Sequence, residues 1–517
     1  MVSLASKVLG DRLRSVNPTY LRVLFLIVAT LTVYGNSLDH QFLASWDDYT
    51  YVTRNPDICG FSLEHLRAAF SKFYVGNYAP LHIISYMLDY TLWGLNPAGY
   101  IGDNIALHVM NGLLLYVLIA KLTEDNRLAF ISVFIFLLHP VQVESVVWVS
   151  QRKNLLAMFF FLISLLSYVI YREKGTSGYS IYAVAVLTFI CALLTKSVTV
   201  VLPLVLVLYD ICFSPRNNRS QWVIDKIPFV LAAGTLALIT LKSQALNAGG
   251  GIVDYPDESA FGIFITMLTV IVRYAKMLLW PTNLSIVYYI PIKTGIDVAV
   301  ALSGIVVIFL CAGLLYLFRK DKGVFFWAAL IPVGLLPVSQ LIPLSTLMND
   351  RYLYFPIIGF AVLFSSGVLF CSDRLLHRIK WVGLVSCCLI FLPLSVLSWQ
   401  RSHVWSDSIS LWSDALNKSA NFVTFAGMGN ALYQADRINE AIGMYEKSLL
   451  LEPACEEALR SLSAIYLNRG EYDKALHYIE RFVEYFPEDA FGQNMLRIAH
   501  NQIKMRNALI KALDVTK

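Results

Sequence analysis

The chain has 517 residues, of which 57% are hydrophobic and only 15% charged, and its formal net charge is +5. No soluble domain of this length needs so much apolar surface, so most of the chain reads as an integral membrane protein, and no nucleic-acid partner is expected. Of eight cysteines, six fall in apolar runs (Cys191, Cys212, Cys311, Cys371, Cys387 and Cys388), where they act as small hydrophobes; the spacing of Cys59 and Cys455 gives no reason to pair them.

Lys7, Arg12 and Arg14 precede the apolar run Leu21–Leu38. The run is long enough to span, no small-residue cleavage site follows it, and the basic cluster sets the N-terminus in the cytoplasm. Just past it lies Ser45-Trp46-Asp47-Asp48-Tyr49, two adjacent acids close to a membrane face. Ionisable groups there are expensive unless they serve something, although solvated loop charges or a helix cap are the bland reading. A long external loop follows over 39–100. Within it Ser62 is set to cap a helix running to Lys72, with Leu63, Leu66 and Phe70 on one face, lying along the membrane surface.

Further spans are predicted over Ile101–Leu122, Leu128–Val149 (interrupted at His139-Pro140), Leu155–Tyr171, Tyr179–Leu194 and Val198–Phe213. The last two turn at Thr195-Lys196-Ser197. After an inner loop with Arg216, Arg219 and Lys226, Val223–Leu241 exits again. Phe261–Trp280 is apolar enough to span but carries Arg273 and Lys276. If it spans, the basic loops Arg319–Lys322 and Arg374–Lys380 both fall outside; if it lies on the surface or re-enters, both join every earlier basic loop inside. The second parity is adopted, with an external segment over 243–296. Spans Val298–Phe318, Val324–Leu341, Tyr352–Phe370 and Trp381–Trp399 complete about eleven helices, with the C-terminus outside.

Beyond Trp399 the chain becomes charged and amphipathic, and a period of 34 residues relates Gly429 to Ser463, Ala441 to Ala475, Tyr445 to Ile479 and Pro453 to Pro487. This is tetratricopeptide-repeat spacing. Repeats are expected over about 422–455 and 456–489, with a flanking half-repeat before them and a cap over Phe491–Ile503. Such arrays usually bind peptides or proteins along a concave face.

With this topology the unusual polar residues gather at the outer ends of helices: Asp47, Asp48, His82, His139, Gln142, Glu144, Gln151, Arg152, Lys153, Asn154, Lys196, Asn349, Asp350 and Arg351. Each has a structural alternative. On that reading His139-Pro140 is simply a helix cap and break, Glu144 a neutral core acid bonded to His82, Lys196 a snorkelling lysine, and Asp350 and Arg351 partners of each other. Together they describe a cavity with acids on one side and cations on the other. That suits transfer of a sugar from a lipid phosphate: Arg and Lys bind the leaving phosphate, and a carboxylate takes the acceptor's proton. No GxxxxGK(S/T) or GxGxxG motif opens a helix, and no dense His/Cys cluster has metal-ligand spacing. Asp47 and Asp48 would be the ligands of a divalent cation if one bound, but the cations make it unnecessary; no other cofactor is expected.

The stretches Trp46-Asp47-Asp48, Asn77-Tyr78-Ala79-Pro80-Leu81, Leu92-Trp93-Gly94-Leu95-Asn96-Pro97, His108-Val109-Met110-Asn111, His139-Pro140-Val141 through Glu144, Arg152-Lys153-Asn154, Lys196 and Asp350-Arg351-Tyr352-Leu353-Tyr354, with the tail repeats, resemble the transmembrane and tetratricopeptide-repeat O-mannosyltransferases of the GT-C superfamily. The resemblance covers nearly the whole chain. It implies an all-α fold, with a GT-C-like catalytic domain over 1–400 and a periplasmic repeat domain over 401–517. It also implies inverting transfer of mannose from a polyprenyl-phosphate carrier to Ser or Thr of a protein or peptide, outside the cytoplasm. By that analogy Asp47 is the base beside Asp48; Arg351, Lys196 and Arg152 hold the lipid phosphate. Glu144, His139, His82, Asp350 and Asn154 bind sugar or acceptor, or orient the base. Asp350 stands where Glu is expected, Ser197 where an acid is common, and the repeat array is short. Cysteine-poor outer loops and a compact build point to a bacterial inner membrane, where the carrier is undecaprenyl phosphate. Two readings compete: the same donor with a lipid or polysaccharide acceptor, and a non-catalytic lipid-carrier flippase or scaffold. A flippase needs charges along a path through the bilayer, whereas these gather at one face.

Overall fold

A computed structural model describes residues 18–43, 45–214, 219–245, 260–342, 344, 346–375 and 382–515. The basic cluster Lys7, Arg12 and Arg14, Arg216, residues 246–259 of the external segment and 376–381 of the last basic loop lie outside these, as do the side chains of Cys387 and Cys388. Among the described residues the chain is helical, with one isolated bridge between Tyr74 and Asn77. It divides into two compact units, the first ending at Ser406 and the second beginning at Asp407, against the expected boundary at 400/401.

The first unit contains α1 Pro18–Tyr34, α2 Leu63–Ser71, α3 Pro80–Trp93, α4 Pro97–Thr123, α5 Asn126–Leu138, α6 Val143–Val147, α7 Arg152–Lys174, α8 Tyr179–Thr195 and α9 Leu202–Phe213. It continues with α10 Ile227–Ala245, α11 Ala260–Leu279, α12 Val298–Lys320, α13 Lys322–Leu335, α14 Ile357–Leu375 and α15 Val382–His403. Seven helices among the described residues are long and apolar enough to cross a membrane, or eight if one bent pair counts as a single span. The chain is an integral membrane protein. Three shorter apolar helices, Tyr179–Thr195, Ser197–Phe213 and Lys322–Val338, accompany them, and Ala260–Leu279 has the length and apolarity of a span despite Arg273 and Lys276.

The bent pair is the break foreseen at His139-Pro140. A proline holds its predecessor out of helical geometry; His139 is extended, and the axis turns by 52° between Asn126–Leu138 and Pro140–Val147. Ser62 caps α2, its hydroxyl accepting from the His65 amide at 3.3 Å. Leu63 and Phe70 on that helix remain exposed. Cys59 and Cys455 are both free thiols.

Ion pairs also tie helix ends together. Lys121 meets Glu173 at 2.7 Å, Arg127 meets Asp373 at 3.4 Å, and Arg172 meets Asp225 at 3.1 Å. Lys226, read from the sequence as part of an inner basic loop, is buried and bonded to Asp210 and Tyr168.

In the second unit α16 Ser408–Lys418 precedes two helix pairs, α17 Phe422–Gln434 with α18 Ile438–Leu451, and α19 Glu456–Asn468 with α20 Tyr472–Tyr485; α21 Ala490–Val515 follows. Both helices of a pair begin 34 residues before their counterparts. Ala441 and Ala475 are buried at equivalent points, as are Tyr445 and Ile479.

Small residues let helices of the first unit approach closely, since lipid gives no hydrophobic drive for helix association. At Gly359 on α14 an added Cβ would run into the backbone oxygen of Trp327 on α13. Gly359→Ala is therefore expected to destabilise the protein by about 1–3 kcal/mol. Gly367→Ala, on the same helix with open space around it, should be neutral or gain up to about 1 kcal/mol. Thermal unfolding of the two purified variants in detergent checks the contrast.

Candidate active site

The site begins with a fold of the loop between α1 and α2. Asp48 is 1% exposed, and its carboxylate accepts from the Leu43 amide at 2.9 Å, the Ser150 amide at 3.0 Å and the Ser150 hydroxyl. Burial outweighs these bonds and pushes the carboxyl up to about 6. Ser150 sits two residues before α7, so Asp48 fastens the loop onto the start of that helix. Asp47, by contrast, leaves its side chain 27% exposed and faces a cavity of about 470 Å³.

The charged end of this cavity is lined by Asp47, Lys153, Asn154, Lys196 and Arg351. Lys153 Nζ lies 3.9 Å from Asp47 Oδ2 and 3.5 Å from the Tyr51 hydroxyl, 4.8 Å above the centre of that ring. Lys196, at the extended turn between α8 and α9, donates to the side-chain oxygen of Asn154. Arg351 is held from behind by buried Glu144, with Nη1 to Oε1 at 2.6 Å and its own amide to Oε2 at 2.9 Å. Burial, with Lys153 and Arg351 nearby, drives the Lys196 ammonium well below the usual lysine range. Burial also pulls on Arg351, but Glu144, Tyr352 and Asp47 more than offset it and hold the guanidinium charged. Away from the charges the wall becomes apolar, over Met158, Phe161, Leu193, Leu236, Pro337 and Phe355. An anion at the charged end with a long hydrocarbon tail fits this division.

Of the residues singled out from the sequence, Asp47, Gln151, Lys153, Asn154, Lys196 and Arg351 line the cavity, and Asp48 and Glu144 stand directly behind it. Arg152, His82, His139 and Asp350 do not line it. Arg152 was expected on the lipid phosphate. Instead it is 2% exposed and paired with Asp89, donating also to Asn104 Oδ1 at 2.8 Å and the Tyr100 carbonyl at 2.6 Å. Successive residues on a helix point about 100° apart, so the turn that buries Arg152 delivers Lys153 to the cavity. His82 bonds to the Tyr86 hydroxyl at 2.8 Å, not to Glu144. His139 bonds through Nε2 to the Leu278 carbonyl at 3.0 Å. Asp350 accepts from Tyr288 and lies 3.8 Å from Arg401, leaving Arg351 to Glu144. Lys153 stands in the sequence among the outer-end charges and in the Arg152-Lys153-Asn154 stretch, with no role of its own; Asp89 carries no signal beyond being an acid in an apolar stretch. Both oxygens of Asp48 are taken by Leu43 and Ser150, so Asp47 is the carboxylate the cavity sees. Among the described residues no group of three or more His, Cys, Asp or Glu is placed to hold a metal ion.

No protein-family model matches the chain. Among curated proteins it is similar to the human protein O-mannosyl-transferase TMTC3, 24% identical over 506 residues, an alignment covering 88% of this chain and 54% of that protein. Human protein O-mannosyl-transferase TMTC1 is 24% identical over 504 residues, covering 86% and 56%. A protein O-mannosyl-transferase of Caenorhabditis elegans is 25% identical over 456 residues, covering 84% and 63%. The resemblance drawn from the motifs is borne out by these relatives. The chain spans about half the length of the human proteins it matches. Among solved structures, the oligosaccharyltransferase of Archaeoglobus fulgidus in its apo form aligns with a TM-score of 0.45 at 12% identity, covering 77% of this chain and 57% of that one.

Two outcomes follow from the buried charges. Asp89→Leu leaves Arg152 buried without its partner and is expected to cost about 3–5 kcal/mol, most of it recovered in Asp89→Leu/Arg152→Met; thermal unfolding of the three proteins checks this. Asp48 binds its proton more tightly folded, at about 6, than at its ordinary 3.8. Its contribution to stability is therefore fully present below about 4 and lost as pH rises through 6. Asp48→Asn should flatten that part of the profile, measured by unfolding midpoints between pH 4 and 7.

Proposed function

We propose that the chain is an inverting glycosyltransferase. It moves a sugar, mannose by resemblance, from a polyprenyl-phosphate carrier to Ser or Thr hydroxyls of a protein or peptide at the outer membrane face. The observation that carries this reading is the carboxylate of Asp47, the acid that lines the cavity among the described residues, set with Lys196 and Arg351 in a cavity that continues into an apolar groove. The relatives' names support mannose transfer to protein. The acceptor hydroxyl gives its proton to Asp47 as its oxygen attacks the anomeric carbon from the side opposite the phosphate. The bond from that carbon to the phosphate oxygen breaks, and the electron pair leaves with the phosphate. Lys196 and Arg351 bind the charge that develops there, so no proton donor is needed for departure. Asp48 orients the loop that presents Asp47, Glu144 orients Arg351, and Asn154 orients Lys196. The groove takes the lipid chain.

We assign a cytoplasmic N-terminus and eleven spans, with cavity and C-terminal unit outside: in the periplasm, with undecaprenyl phosphate as carrier, for a bacterial inner membrane. Ala260–Leu279 is then an external surface or re-entrant helix. Its partners support that: the Leu278 carbonyl bonds to His139, and Tyr274 accepts from the Asn349 amide, two residues before the cavity-lining Arg351. The 34-residue recurrence supports a tetratricopeptide-repeat domain, to which we assign docking of the acceptor protein.

Asp47→Asn in the purified full chain should lower transfer from polyprenyl-phosphate mannose to an acceptor peptide by about 100- to 10,000-fold, with unfolding unchanged. Wild-type rates in that variant would overturn the assignment.

A further inference from the structure

We infer that Lys153 is a further catalytic residue, one that exchanges partners during the reaction: Asp47 before transfer, the leaving phosphate after it. This rests on the reading just given, and concerns a residue to which that reading assigns nothing. Three cations line the cavity, and two are tied down. Arg351 is locked by two bonds to Glu144, and Lys196 is bonded to Asn154. Lys153 is held loosely. Its ammonium has three donors, yet the nearest carboxylate oxygen is 3.9 Å away and the Tyr51 hydroxyl 3.5 Å. Tyr51 beneath it is buried and fixed, donating to the Tyr74 carbonyl at 3.2 Å and accepting from Asn77 at 3.3 Å. The head group can therefore pivot within the cavity, while its side chain, 10% exposed, has little access to solvent.

The reaction supplies the reason to pivot. The donor is a phosphodiester with one negative charge, and the product a monoester carrying up to two. The proton lost by the acceptor neutralises Asp47 in the same step. Lys153 thus loses its carboxylate partner as the phosphate gains charge, and the interaction it forms is stronger in the transition state than in the ground state, which is what raises kcat. A merely structural lysine would affect donor and product binding alike.

The test compares a short-chain prenyl monophosphate with its mannosyl diester, binding each to the purified full chain and to Lys153→Gln and Lys153→Arg, alongside transfer rates. In Lys153→Gln, monophosphate affinity should fall about tenfold or more. Diester affinity should change by less than about threefold, and kcat should drop about 10- to 100-fold at a near-constant KM. Lys153→Arg, which keeps the charge, should recover most of the monophosphate affinity. Equal losses for both lipids, or no loss for either, overturn the inference while leaving the functional reading intact. So does a charge-retaining variant as impaired as Lys153→Gln. Wild-type protein that binds neither lipid overturns both.

Discussion

The buried carboxylate of Asp48 is the constraint on which the site depends. Two amides and a hydroxyl, from segments a hundred residues apart, converge on it. A buried acid is expensive, and these bonds are what keep it there. Because Ser150 lies at the threshold of α7, the bond sets the loop that carries Asp48 and the helix in one register. Asp47 then has no choice of direction, and it faces the cavity beside Lys153. Two neighbouring acids thereby serve different ends: one holds the loop, and the other faces the cavity.

The opposite wall follows the same logic with the signs reversed. Glu144 belongs to the segment after the His139-Pro140 break and cannot reach the cavity, yet it grips both the side chain and the backbone of Arg351. The 52° turn matters here, because a continuous helix would carry Glu144 elsewhere. Each reactive group thus has a buried partner that costs desolvation and returns geometry. The apolar side chains behind Lys196 and Asn154 let a hydrocarbon chain lie beside charges that water would otherwise screen.

Much of this was legible in the sequence, and the misses have physical causes. The break at His139-Pro140 could be read because proline's restraint is local. The 34-residue recurrence could be read because helix contacts demand small residues at fixed intervals. Lys196 and Arg351 stood out as cations at the end of the bundle where the inside rule does not put them. Arg152 and Lys153 exchanged roles because a motif locates a helical turn but not its rotation, and one residue shifts direction by about 100°. Asp89 was overlooked since nothing in a linear pattern tells an acid that will meet an arginine from one that will meet water. His82, His139 and Asp350 entered the expected site by their polarity at helix ends and by the resemblance; in the structure they bond to a hydroxyl, a carbonyl and a core tyrosine respectively.

The first turn of α7 carries Arg152 and Lys153 and no acid. A helix begins with its amide dipoles aligned toward positive potential, so two cations there oppose the macrodipole at about 0.3–1 kcal/mol each near a surface, and more when partly buried. Asp89 relieves the first, while the second leans on a carboxylate that catalysis would neutralise. Electrostatic tension therefore sits at the mouth of α7. Any anion settling there discharges it, so occupancy and folding are thermodynamically linked. The ligand that the cavity selects would also tighten the bundle around it.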